Sequence, residues 1–90
     1  MKNFVKIFKA LSNEKRFKIL LLLLKRKEMT VSEIAENLKF PFQTTSRHLI
    51  NLQNANLVET RHENVWTFYY LSSRQKKLIK NILHLMNKYF

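Results

Sequence analysis

The sequence contains no cysteine, no aspartate and no glycine, and its single proline is Pro41. Without cysteine, disulfides, thiol chemistry and cysteine-type zinc sites are excluded. A glycine-rich phosphate loop is excluded as well, the three histidines are scattered, and no paired carboxylates share an obvious cleft. We therefore expect a protein that is not an enzyme and that carries no cofactor.

The absence of glycine also bears on the backbone, because average usage of about 7% predicts roughly six glycines in a chain of this length. Every left-handed backbone position must be occupied by another residue, and asparagine tolerates that conformation best. We predict left-handed conformations at Asn56 and Asn64.

Long hydrophobic runs are absent too. The longest apolar run, residues 19–24, has six residues, whereas about 20 are needed to span a bilayer. Lys6 and Lys9 interrupt the apolar residues near the start, and no cleavage site of the signal-peptide type follows. We expect a cytoplasmic protein.

The charge that is present has one dominant sign. Seventeen lysines and arginines against six glutamates give a formal net charge of +11, and 46% of the residues are hydrophobic. This composition predicts one folded domain over residues 1–90 with an affinity for nucleic acid or an acidic membrane surface.

Residues 30–58 show the pattern of two helices joined by a tight turn. Thr30 and Glu33 have capping-box spacing, which predicts a helix from about residue 31. Pro41 suits the first turn of a second helix, over residues 42–55. At helical spacing, the inward stripe of this helix is Thr45, Leu49, Leu52 and Ala55. The pattern is that of a helix-turn-helix, whose second helix enters the DNA major groove.

The outward side chains near the start of that second helix can form hydrogen bonds with base edges and phosphates. Arg47 is the strongest candidate, because a guanidinium can pair with two acceptors of guanine or bind phosphate. For His48, the sequence is compatible with either a phosphate contact or a packing role. The predicted contacts from this helix are Gln43, Thr44, Ser46, Arg47 and His48.

Strands are predicted at residues 57–61 and 65–71, with His62, Glu63 and Asn64 at the tip between them. A hairpin directly after the second motif helix is a wing, and we predict that Arg61 and His62 add DNA contacts there. Trp66 and the Tyr69–Tyr70 pair could stack on bases, but packing of the wing against the body is favoured. The predicted fold class is mainly α with a small β-hairpin (α+β), a winged helix-turn-helix with about five helices and a two-stranded wing.

Two further helices are predicted, a first one from about residue 4 to residue 11 and a last one that begins at the capping-box spacing of Ser72 and Gln75. Both are more apolar than one packing face requires. This surplus predicts a homodimer built from these two helices. The predicted interface residues are Phe4, Ile7, Phe8, Leu78, Ile79, Ile82, Leu83 and Met86.

Three segments resemble the ArsR (ArsR/SmtB) family of winged-helix transcriptional regulators. They are FKALSNEKRFKILLLL, then TVSEIAENL with TTSRHLINLQNANLV, and ETRHENVWTFYYLS. The resemblance covers residues 4–72 and implies a homodimeric repressor of promoters. The sequence departs from the family pattern at Asn56, where glycine is usual, and at Phe42, where a polar residue is usual.

Many proteins of that family release DNA on binding metal, either through cysteines or through Asp, His and Glu of the last helix. At the matching positions this chain has Thr30 and Ser32 instead of cysteines, and its last helix offers only His84. A metal site needs about three or four convergent ligands. We therefore expect no metal site, and the inducer, if one exists, is unknown.

Three functional hypotheses follow. The first is a dimeric, sequence-specific repressor that binds double-stranded DNA. The second is a winged-helix module for non-specific nucleic-acid coating or for protein interaction. The third is a peripheral membrane protein with a basic amphipathic helix. We favour the first and expect no membrane association.

Overall fold

The structure, a computed structural model, describes residues 2–89, with side chains described for residues 4–88. Within these residues, five helices and three short strands follow one another in a winged helix-turn-helix order. The elements are α1 (Lys2–Leu11), α2 (Glu14–Lys25), β1 (Met29–Thr30), α3 (Val31–Leu38), α4 (Phe42–Asn54), β2 (Glu59–Glu63), β3 (Trp66–Tyr70) and α5 (Ser73–Tyr89).

The core is built around α2, whose second half is apolar nearly all round and is therefore covered on several sides. Ile19, Leu20 and Leu23 of α2 are fully buried. Side chains from the surrounding helices close around them: Ile34 from α3, Leu49 and Leu52 from α4, and Ile79 from α5. Burial against α2 therefore fixes the position of the helix-turn-helix.

Ile79 corrects one prediction. Its side chain is fully enclosed within the protomer, so the prediction that it lies in a dimer interface is wrong. On α5 it occupies the face that packs against α2, and no surface remains for a partner. Helical spacing identified it as apolar but did not distinguish the inner face of α5 from the outer one.

Local side-chain hydrogen bonds set the helix starts, and the predicted Thr30–Glu33 capping box is present. The Thr30 amide donates to Glu33 Oε1 at 2.9 Å, and the Glu33 amide donates to Thr30 Oγ1 at 3.2 Å. Asn13 Oδ1 accepts from the Arg16 amide at 3.1 Å and caps α2. Such caps contribute about 1 kcal/mol each.

A second capping box begins α5 and ties it to the chain after α4. Ser72 and Gln75 exchange hydrogen bonds of 2.8 and 3.2 Å. The buried Gln75 amide also donates to the Asn56 carbonyl and to Glu59 Oε2, at 3.1 and 2.6 Å. The start of α5 is therefore fastened to the residues that lead into the wing.

Three of the residues that the structure describes adopt left-handed backbone conformations. Asn56 has a φ of 62° and Asn64 a φ of 55°, which confirms both predicted positions. The third is Lys39, with a φ of 59° and a ψ of 41°, which no sequence pattern predicted. Lys39 ends α3 and turns the chain toward Pro41, where α4 begins.

The wing differs from the prediction in its boundaries. Antiparallel β2 and β3 pair from Glu59 opposite Tyr70 to Glu63 opposite Trp66. His62 and Glu63 therefore lie in β2, and the connecting turn is formed by residues 64 and 65 rather than by residues 62–64. The left-handed Asn64 sets this register. The short strand β1 pairs with β3 and makes the sheet three-stranded, in the order β1-β3-β2.

None of the helices described between residues 2 and 89 combines the length and apolar content that crossing a bilayer requires.

Candidate nucleic-acid interface

The inner face of α4 consists of the side chains that helical spacing predicted for it. Thr45, Leu49, Leu52 and Ala55 are all buried. The hydroxyl of the fully buried Thr45 donates to the Pro41 carbonyl at 2.9 Å, so this polar group is satisfied inside the core. Thr45 therefore anchors the first turn of α4 and leaves its opposite face toward solvent.

The outer face of α4 contains a shallow depression lined by Phe42, Gln43, Ser46 and Arg47. The structure thus brings together three of the predicted contact residues. Gln43 and Arg47 are exposed, and Ser46 is partly buried. Of the other two predicted residues, Thr44 is partly buried, and neither it nor His48 is among the lining residues.

Phe42 is a residue that the sequence analysis did not include in the site. Phe42 is 55% exposed, although phenylalanine is among the residue types most often buried. A signal was present in the sequence, because position 42 lies outside the inward stripe of α4 and the related family usually has a polar residue there.

The start of α4 favours negatively charged ligands. Pro41 occupies the N-cap position without a side-chain hydrogen bond, so the partial positive charge of the helix N-terminus is not offset by a cap. No acidic residue occurs between Glu36 and Glu59 in the sequence, whereas Lys39 and Arg47 do. Within the described residues, no carboxylate is paired with Arg47.

His48 is partly buried on the side of α4 that approaches α2. Burial lowers its pKa, and the positive charges of Arg16, Lys15 and Arg47 lower it further. The imidazole is therefore held toward its neutral form in a basic environment. A packing role and a phosphate contact both remain open for this residue.

The wing arginine is held differently. Arg61 makes a bidentate ion pair with Glu28, with Nη2–Oε1 and Nε–Oε2 distances of 2.7 and 3.1 Å. Its Nη1 also donates to Glu63 Oε1 at 3.1 Å, and the guanidinium lies 4.6 Å from the centre of the Phe68 ring. These carboxylates raise the pKa of Arg61, and Arg61 lowers the pKa of Glu28.

The rest of the wing surface is mixed in character. His62 is exposed, and its Nδ1 lies 3.1 Å from Thr67 Oγ1. Val65 is 89% exposed and Trp66 is 53% exposed at the turn. The packing role favoured for Trp66 is therefore wrong, because β3 directs this end of the hairpin away from the body. Tyr69, by contrast, is buried in the core.

A second surface combines α1 and the end of α5. Phe4, Val5 and Phe8 of α1 are 64%, 48% and 66% exposed, and Leu85 and Met86 of α5 are 53% and 42% exposed. Next to them is an apolar depression lined by Leu11, Phe17, Leu21, Leu83 and Met86 together with Ser12, Glu14 and Lys18. Val5 and Leu85 belong to this surface although the sequence analysis did not name them as interface residues. Ile7, Leu78 and Ile82 are partly buried.

Across residues 2–89, no group of three or more histidine, cysteine, aspartate or glutamate side chains is close enough together to hold a metal ion. Ser32 and His84 are exposed. The prediction that DNA binding does not depend on a metal is not tested by this observation and stays a prediction.

A helix-turn-helix followed by a β-hairpin and a terminal helix defines the winged-helix class of transcriptional regulators. The family model described as bacterial regulatory protein, arsR family, matches residues 5–60, and the chain belongs to that family. This confirms the resemblance and the predicted fold class.

Two curated relatives align over most of the chain. An uncharacterized HTH-type transcriptional regulator of Methanocaldococcus jannaschii is 43% identical over 75 residues, which cover 82% of this chain and 84% of that protein. The transcriptional activator HlyU of Vibrio cholerae is 39% identical over 80 residues, covering 89% and 73%.

Solved structures agree with the fold. A homodimeric winged helix-turn-helix DNA-binding domain from Mycobacterium bovis, described as a possible ArsR-family regulator, superposes with a TM-score of 0.93. It is 27% identical, and the match covers 99% of this chain and 82% of that one. NolR of Sinorhizobium fredii gives a TM-score of 0.82 at 30% identity, covering 94% and 84%.

Proposed function

We propose that this ArsR-family regulator is a homodimer that binds a specific double-stranded DNA site in the cytoplasm and represses transcription from it. The observation that carries the proposal is the depression at the start of α4, where Gln43, Ser46 and Arg47 converge on an exposed face without any nearby acidic residue in the sequence. Hydrogen-bond donors and acceptors arranged in this way suit base edges and phosphates in the major groove.

The exposed apolar side chains of α1 and α5 support dimerisation. Burying apolar surface contributes about 25 cal/mol per Å², and a small domain that left this surface in water would tend to aggregate. The homodimeric state of the Mycobacterium bovis domain is consistent with this assignment. A dimer also presents two copies of α4, related by two-fold symmetry, to a palindromic site.

Repression is the direction that the family resemblance implies, although the Vibrio cholerae relative is named an activator. Transcription in vitro distinguishes repression from activation. The promoter used contains a DNA site that the protein itself selects from random duplexes. We expect the protein to lower transcript yield, and an increase would contradict the repressor assignment.

We further propose that neither thiolate-bound metal nor metal on α5 controls DNA binding, because Thr30 and Ser32 replace cysteines and His84 stands alone. Zinc titration with DNA affinity as the readout tests this. A stoichiometric, tight loss of DNA binding on adding zinc would contradict it.

The main test is selection of bound sequences from random duplexes, followed by footprinting. We expect a short, imperfect palindrome with half-sites about one helical turn apart, or a multiple of it. Uniform protection of any duplex would instead support non-specific coating. Binding to anionic vesicles that DNA does not compete away would support a membrane function.

Dimerisation is tested by sedimentation of the double variant Phe8→Glu with Met86→Glu. Both side chains are substantially exposed, so the fold should survive while the interface is lost. Val65→Glu is the matched control, because it adds a charge at an exposed apolar position in the wing. We expect monomers with weak DNA binding for the double variant and dimers for the control. A monomeric unaltered protein at micromolar concentration would contradict the proposal.

A further inference from the structure

The exposed ring of Phe42 has no role in the hydrogen-bonding surface described above. Phe42 begins α4 with 55% of its surface exposed. Phe40, two residues earlier, is partly buried and packs against the core. Phe40, before Pro41, is therefore packed against the core, whereas Phe42, after Pro41, remains in water.

Phe42 belongs to the same surface as the predicted base contacts. Residues 42 and 46 are one helical turn apart, as are residues 43 and 47, so the four side chains form two adjacent rows. These four residues line a single depression. The apolar surface of α1 and α5 involves other residues, so Phe42 is not part of the proposed dimer interface.

The chemistry of the major groove identifies what such a ring can contact. Base pairs present hydrogen-bond donors and acceptors there, together with one apolar group, the C5-methyl of thymine. The methyl of 5-methylcytosine occupies the same ring position. Building on the proposed function, we propose that Phe42 is a specificity-determining residue that contacts a pyrimidine C5-methyl group in each half-site.

Electrostatics favour DNA over a protein as the occupant of this depression. Lys39 and Arg47 lie on either side of Phe42 in the sequence, and no acidic residue occurs between Glu36 and Glu59. The uncapped N-terminus of α4 adds positive potential. An apolar ring that shares a depression with Arg47 at a helix N-terminus suits a ligand that offers a methyl group next to phosphates.

The test uses the duplex selected by the unaltered protein. Each thymine is replaced in turn by uracil, which removes only the methyl group. We expect about a fourfold loss of affinity at one position of each half-site, the loss that corresponds to one buried CH₂ group. In a second series each cytosine is replaced by 5-methylcytosine. If the contacted base is 5-methylcytosine rather than thymine, affinity rises about fourfold at that position instead.

Phe42→Ala should weaken binding and abolish the methyl dependence, whereas Phe42→Leu should retain part of it. Ile50→Ala is the matched control, because Ile50 is also on α4 and is 50% exposed. It should leave the methyl dependence at the Phe42 position intact. Circular dichroism confirms that each variant is folded.

The outcomes separate this inference from the proposed function. If the selected duplex is bound specifically but no methyl substitution changes affinity, the role of Phe42 is overturned and the DNA-binding function stands. A methyl dependence that persists in Phe42→Ala, or that disappears in Ile50→Ala, also overturns it. If no specific duplex is selected, the proposed function fails and this inference fails with it.

Discussion

The second helix of the motif and the wing each carry one arginine, and the structure holds the two in opposite ways. Arg47 on α4 is exposed, and no carboxylate among the described residues pairs with it. Arg61 on β2 is bound by Glu28 and Glu63 and lies against Phe68. A guanidinium without a partner is available to a base, whereas one held by two carboxylates mainly positions the strand that carries it.

The difference extends to the charge of the two regions. α4 contains no acidic residue, whereas residues 59–70 contain one arginine and two glutamates, a formal charge of −1 with histidine neutral. The net charge of +11 is therefore unevenly distributed along the chain, and the wing is not cationic. Contacts from the wing have to come from a surface whose charges are already largely compensated.

The largest effect is expected for Arg47→Ala. If Arg47 contacts a base, its loss should weaken binding to the selected site by about 1–3 kcal/mol and relax preference at one position per half-site. Binding titrations against the selected site and single-base variants measure both quantities. Arg74→Ala on α5 is the charge-matched control and should leave the preferred bases unchanged. Equal losses for every sequence would show that Arg47 binds phosphate only.

Arg61→Ala should have a smaller effect that is similar for all sequences. Its loss leaves Glu63 on the wing and Glu28 before β1 without the cation that both of them pair with, and it removes any phosphate contact that Arg61 makes. The salt dependence of binding separates these causes, because losing a phosphate contact lowers the slope by about one. If Arg61→Ala changes the preferred bases, the contrast between the two arginines is wrong.

Glu63→Gln should strengthen DNA binding, by about twofold, because it removes an exposed negative charge from the wing. Fluorescence anisotropy with the selected duplex at low salt gives the most sensitive measurement. Glu14→Gln is the control, since its exposed carboxylate pairs with Lys18 on α2 at 3.4 Å. Weaker binding by Glu63→Gln would indicate that the Glu63–Arg61 contact is needed to hold the wing.

The smallest effect is expected from the titration of His48. Its lowered pKa in the folded protein means that the unfolded chain takes up a proton first as the pH falls. The contribution of His48 to the free energy of unfolding is therefore fully present above about pH 6.5, the ordinary pKa of histidine. It is lost as the pH falls through the lowered pKa of the folded protein. Denaturation at several pH values should show this loss in the unaltered protein and in the His84→Gln control but not in His48→Gln. An identical pH dependence in all three would contradict the assignment.

The helix starts could be predicted from the sequence because their determinants are local. The Thr30–Glu33 and Ser72–Gln75 capping boxes span three residues each, and both were read from spacing alone and confirmed. The inward stripe of α4 was likewise confirmed, since helical periodicity decides which side chains can reach the core.

Features that depend on distant packing were missed. Glu28 and Arg61 are 33 residues apart, and nothing in the sequence pairs a residue before β1 with one in β2. Ile79 and Ile82 are equally apolar, yet only the position of α2 puts Ile79 inside. For the same reason the sequence indicated the outward residues of α4 but not the depression that they form with Phe42.

The turn between α3 and α4 contains no glycine, and its left-handed position is occupied by Lys39. A residue with a Cβ has fewer conformations in the unfolded chain than glycine, a difference of about 0.4–1 kcal/mol where the native backbone is compatible. The left-handed geometry costs lysine about 1–2 kcal/mol, which is more than this gain, so Lys39 holds the turn at a net cost in stability. In the folded protein the Cβ of Lys39 also leaves the turn fewer backbone conformations than glycine would, and a segment with less freedom loses less of it on binding. The two helices of the motif therefore approach DNA as a preorganised unit whose ordering was completed during folding.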